Sequence, residues 1–297
     1  MVDNNNIVIV TGIDTNYVPH LAVMMQSMAS SNPDPTFRVF VLHDGIPVES
    51  RNKLQHFKNI SLEWIQIDDG RLLDRDGIYH ITRATYLRLK MSEVLPRDID
   101  RVLYLDVDLV IDGDIRPLWN TALGANICAA VVDPGVDPEG FARKWGLEGR
   151  DLYFNAGVVL FDLKALRQGA YLEKATQVLD DPVRKVELAD QDAQNVVLWN
   201  KWLHLDPHWN FQRIFMADNC RHWKTHSNLQ TRPAIVHFTQ TNKPWHAWDR
   251  HPCKWLYLRT LLQTPFRAEV LHKGKYTPLL LVKSWLKWVI QRPSMFR

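Results

Sequence analysis

The sequence has little of what most secretion and cofactor signatures require. Its 297 residues hold three cysteines, Cys128, Cys220 and Cys253, with no CxxC among them. An odd, scattered set of this kind argues against a disulfide framework and for a reducing compartment. No apolar run approaches the roughly 18 residues of a membrane span. The opening MVDNNNIVIV lacks the basic region and long apolar core of a signal peptide. Neither sign of charge dominates: 36 Lys and Arg against 33 Asp and Glu give +3, too balanced for a dedicated nucleic-acid binder. No GxGxxG follows the first apolar run, which argues against a dinucleotide dehydrogenase. No HExxH occurs, and Pro207 between His204 and His208 prevents the helical i,i+4 pairing that a zinc hydrolase would use. The segment TGIDTNYVPH, residues 11–20, has one glycine and no Lys or Arg. A sugar nucleotidyltransferase would want a Gly-rich basic loop there for a triphosphate.

What is present is a globular composition, 46% hydrophobic, with short apolar runs alternating with helical patterns. Strands are expected at 7–12, 37–42, 60–67, 101–107, 127–132, 157–161 and 234–238. A helix is expected from Pro19, with Leu21, Met24, Met25 and Met28 on one face. Further helices are expected near 48–57, 80–93, 163–180 and 189–201. This alternation predicts an α/β fold with a mostly parallel central sheet flanked by helices. Residues 1–265 are expected to form one body, and 266–297 a basic, aromatic tail.

The sharpest signal is RVLYLDVDLVIDGDI, residues 101–115. Val102–Leu105 carry the chain through the sheet interior, and Asp106 and Asp108 follow at the strand end. In an extended chain, residues two apart point to the same side. Ligands of open α/β sheets sit beyond the carboxyl ends of the strands, where these acids fall. Two adjacent carboxylates repel each other unless a divalent cation lies between them. An EF-hand is excluded, since Val110 and Ile111 stand where an oxygen ligand and glycine are required. Further on, AIVHFTQTNKPWH, residues 234–246, ends an apolar run with His237, a candidate nitrogen ligand, and supplies Lys243 six residues later. An ammonium there would suit a phosphate.

These stretches resemble glycosyltransferase family 8, in particular its bacterial lipopolysaccharide α-galactosyl- and glucosyltransferases. The resemblance runs over about residues 7–250 on six ordered motifs: IVIVTGIDTNY, TYLRLK, VLYLDVD, FNAGVVLFDL, DQDAQN and HFTQTNKPWH. It implies a GT-A-type nucleotide-binding fold and retaining transfer of galactose or glucose from a UDP-sugar to a lipopolysaccharide or other glycan. It implies Mn²⁺ (or Mg²⁺) held by Asp106, Asp108 and His237. It places Gly12, Asp14, Asn16 and Tyr17 at the nucleoside, and Arg88 at the donor phosphate and sugar. Asn155 and Ala156 would line the donor sugar, and Asp190 and Gln191 would face its reacting side. Lys243 would contact the diphosphate, beside Gln240, and Val107 lies between the two acids. Asp133 and His80 fall where the family contacts the acceptor. The pattern departs at Gln240, usually Gly, and at Thr15, usually an acid.

A carboxylate nucleophile would have to come from Asp190, since the Gln191 amide is a poor one, so front-face substitution is expected. Nine of the twelve tryptophans lie at or after Trp199. Trp199, Trp202, Trp209, Trp223, Trp248 and Trp255 are expected to be mostly core, and aromatic faces there would also suit a sugar acceptor. In TPLLLVKSWLKWVIQR, residues 277–292, Leu279, Val282, Leu286 and Val289 share a helical face with Trp285, while Lys283 and Lys287 lie elsewhere. Such a segment either docks on the body or meets an anionic membrane surface. The expected protein is therefore cytoplasmic, and peripheral at the inner face of the plasma membrane where the segment meets that surface rather than the body. The alternative is a non-catalytic UDP-sugar or carbohydrate binder, since fold does not fix function.

Overall fold

Apolar residues at successive positions, whose side chains point alternately to opposite sides, give the central strands two buried faces. Along β1 (Asn6–Gly12) Ile7 and Ile9 enter one apolar layer and Val10 the other. In β2 (Thr36–His43) Phe37, Val39 and Val41 alternate with Phe40 and Leu42 in the same way. The remaining strands are β3 (Ile60–Gln66), β4 (Arg101–Leu105), β5 (Leu109–Ile111), β6 (Cys128–Val132), β7 (Phe154–Asp162), β8 (Trp202–His204), β9 (Phe211–Gln212) and β10 (Ile235–His237). This computed structural model describes residues 6–54, 56–68, 70, 83–149, 152–181, 183–216 and 232–295.

Among the described residues the main sheet has seven strands, in the order β3-β2-β1-β4-β7-β6-β8. Only β7 runs against its neighbours, so the sheet is mostly parallel, as expected. Parallel strands need both faces covered. The helix Val18–Ser31 covers one, with Leu21, Met24, Met25 and Met28 all buried on the predicted face. Leu87, Leu89 and Met91 help to cover the other. Each such side chain contributes roughly 1.5–3 kcal/mol on burial.

Several boundaries differ from expectation. The strand expected over 101–107 ends at Leu105. The chain then bends at Asp106–Asp108 and leaves the main sheet as β5. The expected strand 234–238 is the three-residue β10 of a second sheet, β5-β10-β9, rather than part of the main one. The helix expected over 163–180 is two helices, Leu163–Gln168 and Tyr171–Leu179, because Ala170 takes a left-handed φ of 48°. Helices expected at 48–57 and 189–201 are shorter, Val48–Asn52 and Ala189–Val197. The described part of the expected helix 80–93 is a 3₁₀ stretch, Arg83–Lys90, followed by the helical turn Met91–Val94.

Phe266, Val270 and Trp288, in the basic C-terminal stretch, are buried in the same apolar cluster as the helix Val18–Ser31. Among the later tryptophans, Trp199 and Trp202 are core, Trp209 and Trp255 are half-buried, and Trp248 is exposed. Trp223 lies outside the described residues. Among the described residues no helix is long and apolar enough to cross a membrane.

Candidate active site

The bend after β4 brings the two acids together, and the small sheet brings the distant histidine to them. In the antiparallel β5–β10 pair, His237 stands opposite Leu109. The Phe238 N–H donates to the Asp108 carbonyl at 2.9 Å, which fixes that register beside the acids. His237 Nε2 lies 3.1 Å from Asp108 Oδ1 and 3.7 Å from Asp106 Oδ2. One ligand atom from each of the three residues lies within 4.8 Å of the other two.

The orientation of the imidazole follows from a chain of hydrogen bonds. The Gly157 N–H donates to Asn155 Oδ1 at 3.1 Å, and the Asn210 amide nitrogen donates to the same oxygen at 2.9 Å. Asn210 Oδ1 therefore faces His237 Nδ1, at 3.0 Å, and accepts its proton. Nε2 is thereby turned toward the two carboxylates, 3.1 Å from Asp108 Oδ1 and 3.7 Å from Asp106 Oδ2, the ring atom placed to share a cation with them. Gly157 forms the wall beside this cluster: a Cβ added there would overlap the His237 ring and Asp106 Oδ2. Two hard oxygens and one imidazole nitrogen around a space kept open in this way fit a divalent cation such as Mn²⁺.

Buried cations surround the acids. Arg88 is 5% exposed. Its guanidinium donates to Asp106 Oδ1 at 2.9 Å and to the Ala156 carbonyl at 2.6 Å, pairs with Asp190 Oδ2 at 2.9 Å, and lies over the Tyr104 ring. Most of its five N–H groups are thus committed to protein. Tyr104 donates its hydroxyl proton to the same Asp106 oxygen at 3.0 Å, leaving Oδ2 as the atom turned toward His237. Lys243 donates to Asp108 Oδ2 at 2.5 Å and to the Phe238 carbonyl at 2.9 Å. A third N–H remains for a ligand. Burial alone would raise the Asp108 carboxyl, but Lys243 and His237 outweigh it and hold it well below the usual carboxylate range. For Asp190 burial prevails, and its carboxyl is pushed up against the pull of Arg88.

These groups line a cavity of about 350 Å³. All the residues expected at the site line it except Asp14 and Asn16, with His80 outside the described residues. Asp14 caps the 3₁₀ turn Thr15–Tyr17, accepting from the Asn16 N–H at 2.8 Å. Asp133 joins the wall by accepting from Asn155 and Gln191, each at 3.2 Å. Gln240 has φ +73°, a region that favours glycine, since a Cβ there costs of order 1 kcal/mol or more. Sequence reasoning missed Asn210, Thr85 and Gly157. Thr85 donates to Asp190 Oδ1 at 2.5 Å. Asn210 and Thr85 carry no spacing signal, but a glycine inside an apolar strand does mark close approach.

The family model for glycosyl transferase family 8 matches residues 8–249. The chain belongs to that family. It is 26% identical over 281 residues to general stress protein A of Bacillus subtilis, covering 91% of this chain and 93% of that one. It is 28% identical over 299 residues to a lipopolysaccharide 1,2-glucosyltransferase of Escherichia coli, covering 94% and 87%. Among solved structures it is similar to the galactosyltransferase LgtC in complex with donor and acceptor sugar analogues. There the TM-score is 0.77 and the identity 28%, over 87% of this chain and 96% of LgtC. This family 8 chain is therefore a glycosyltransferase of GT-A-like fold, with an acidic and histidine cluster that could hold a metal.

Proposed function

We propose that this glycosyltransferase moves galactose or glucose from a UDP-sugar to a hydroxyl of a lipopolysaccharide or similar surface glycan, with retention at the anomeric carbon. The observation that carries the proposal is the convergence of Asp106, Asp108 and His237 with Lys243 on one cavity. Mn²⁺ bound by the first three would neutralise the charge that builds on the departing diphosphate. Lys243 adds a fixed cation to the same oxygens, and losing such a preorganised donor costs roughly 3 kcal/mol of barrier. Asp190 makes a poor nucleophile, because Thr85 holds one of its oxygens while Gln194 and Arg88 hold the other. Front-face substitution is the consistent route: the C1–O bond to UDP breaks on the face where the acceptor oxygen bonds, and the leaving phosphate takes the acceptor proton. Tyr17, Asn155, Ala156 and Gln191 would hold the donor, and Asp133 the acceptor.

The test is a screen of UDP-sugars with Mn²⁺, reading UDP release. One hexose donor should be turned over with Mn²⁺ and not with EDTA, faster when a lipopolysaccharide core acceptor is added. No release with any donor or metal would replace this proposal with that of a non-catalytic binder.

The C-terminal helix Pro278–Met295 supports a peripheral position at the inner face of the plasma membrane. It docks through Trp288, while Leu279, Val282, Trp285, Leu286, Val289 and Ile290 remain exposed. Lys283 and Lys287, also exposed, add attraction of about 1 kcal/mol each at an anionic surface. Because Val270 and Trp288 are core, truncation would expose the body's interior, and point substitution is the cleaner probe. Val282→Asp with Ile290→Asp is expected to weaken sedimentation with phosphatidylglycerol vesicles at least about tenfold, each charge opposing insertion by roughly 2 kcal/mol or more. Unchanged sedimentation would remove the membrane from the proposal.

A further inference from the structure

Lys243 lies in the segment 239–250, which joins β10 to the helix Lys254–Leu261 and has no helix or strand of its own. A segment of that kind holds a cation in place only if something else fixes its backbone. The Lys243–His246 turn is closed by the His246 N–H, which donates to the Lys243 carbonyl at 3.0 Å. Pro244 sits at the second position of this turn, where its fixed φ is favoured.

The C-terminal segment clasps this turn. The Tyr276 hydroxyl lies 2.7 Å from the Pro244 carbonyl and 3.2 Å from the His246 carbonyl, sharing its one proton between them. The Gly274 carbonyl accepts from the Ala247 N–H at 2.8 Å. Gly274 lies so close beneath Trp245 that an added Cβ would overlap the Trp245 carbonyl. Between them Lys275 holds a left-handed φ of 61°, a conformation that costs free energy in a residue other than glycine. That geometry lets both neighbours reach the turn. The Lys254 amine, 4.9 Å above the Tyr276 ring, donates to the His246, Ala247 and Asp249 carbonyls. From the other side Arg213 donates to the Asn242 carbonyl at 2.9 Å and to Asp249 at 2.6 Å.

These contacts could simply knit the terminus to the body, but their distribution argues for more. They converge on residues 242–249, on either side of Lys243 and mostly on the backbone just beyond it, while the Lys243 ammonium lies 2.5 Å from Asp108. We propose that Tyr276, with Gly274 beside it, is a positioning residue for Lys243. It would set the turn that aims the ammonium at the donor diphosphate, a role that rests on Lys243 being the diphosphate contact. On this view the C-terminal stretch completes the donor site in addition to any contact it makes with a membrane.

The test is a double-mutant cycle read as the Kd for UDP in the presence of Mn²⁺, measured by titration calorimetry on the full chain. Tyr276→Phe keeps the ring under Lys254 and removes only the hydroxyl. It is expected to weaken UDP about fivefold, the equilibrium effect of one ordinary hydrogen bond. Lys243→Ala is expected to weaken UDP further, and adding Tyr276→Phe to it should change Kd by less than about twofold, because the two act through one contact. A purely structural role would give the opposite pattern, with Tyr276→Phe weakening UDP equally in both backgrounds, and that result overturns the proposal. So does an unchanged Kd for Tyr276→Phe when Lys243→Ala binds poorly. If Lys243→Ala itself binds UDP as well as the unaltered protein does, the reading of Lys243 falls first and the role of Tyr276 falls with it.

Discussion

Replacing Asp108 by alanine is expected to lower Mn²⁺-dependent UDP release by about a hundredfold to several thousandfold. Asp108 meets both neighbours that matter, His237 at 3.1 Å and Lys243 at 2.5 Å. Removing one partner of a buried ion pair costs about 3–5 kcal/mol, because the other is left without compensation. Every 1.36 kcal/mol lost from transition-state stabilisation is a factor of about ten in rate. Two opposing effects set the stability of the metal-free protein. Alanine relieves repulsion between Asp108 and Asp106, but among the described residues it leaves the Lys243 ammonium with only the Phe238 carbonyl. The attraction prevails, since the Asp108 carboxyl is held well below its usual range despite burial. The metal-free variant should therefore melt below the unaltered protein, and Mn²⁺ should no longer raise its melting temperature. Asp108→Asn separates shape from charge. It keeps the volume and should lose nearly as much activity, with less loss of stability. Turnover of Asp108→Asn within about tenfold of normal would show that the carboxylate charge is not what the reaction uses.

Much of the fold was legible because burial on two faces leaves a readable mark. β1, β2 and β3 lie within a residue or so of their expected bounds, since runs such as IVIV and FRVFVL are what strands covered on both sides require. The helix Val18–Ser31 showed itself through four apolar residues on one face. The small sheet was not legible. β10 falls inside the strand expected at 234–238, but β5 has three residues, too few for a period, and the pairing of the two depends on the bend at Asp106–Asp108. The sequence pattern therefore pointed to the candidate metal ligands by residue type, while the means of bringing His237 to the acids became visible only with the β5–β10 register. Asn210 illustrates the same limit. It is an ordinary polar residue in HWNFQ, and its part in fixing the imidazole depends on β9 lying parallel to β10. The positive φ of Gln240, a conformation that costs free energy in a residue other than glycine, became visible only in the structure.

Gly157 is the position where the smallest change should have the largest effect for its size. It lies within β7, and its backbone does not occupy the left-handed region that excludes other residues. Alanine is therefore acceptable to the main chain, and the consequence of Gly157→Ala is purely one of space. The new methyl group would overlap the His237 ring and Asp106 Oδ2. Neither has free room to retreat. His237 is tethered through Nδ1 to Asn210, and Asp106 is held through its other oxygen by Arg88 and Tyr104. The main chain is equally constrained, because the Asp106 N–H donates to the Gly157 carbonyl at 2.8 Å. Forcing a methyl group into such a place costs about 1–3 kcal/mol, and the strain falls on the ligand atoms themselves. The expected result is Mn²⁺ affinity weakened about a hundredfold and UDP release reduced by a similar factor, in line with the sensitivity of metal sites to their surroundings. The far-UV circular dichroism should be unchanged, since the strand remains compatible with alanine. Normal Mn²⁺ affinity in a folded Gly157→Ala protein would mean that the cation does not sit among these three side chains, and the site would have to be sought elsewhere along the cavity.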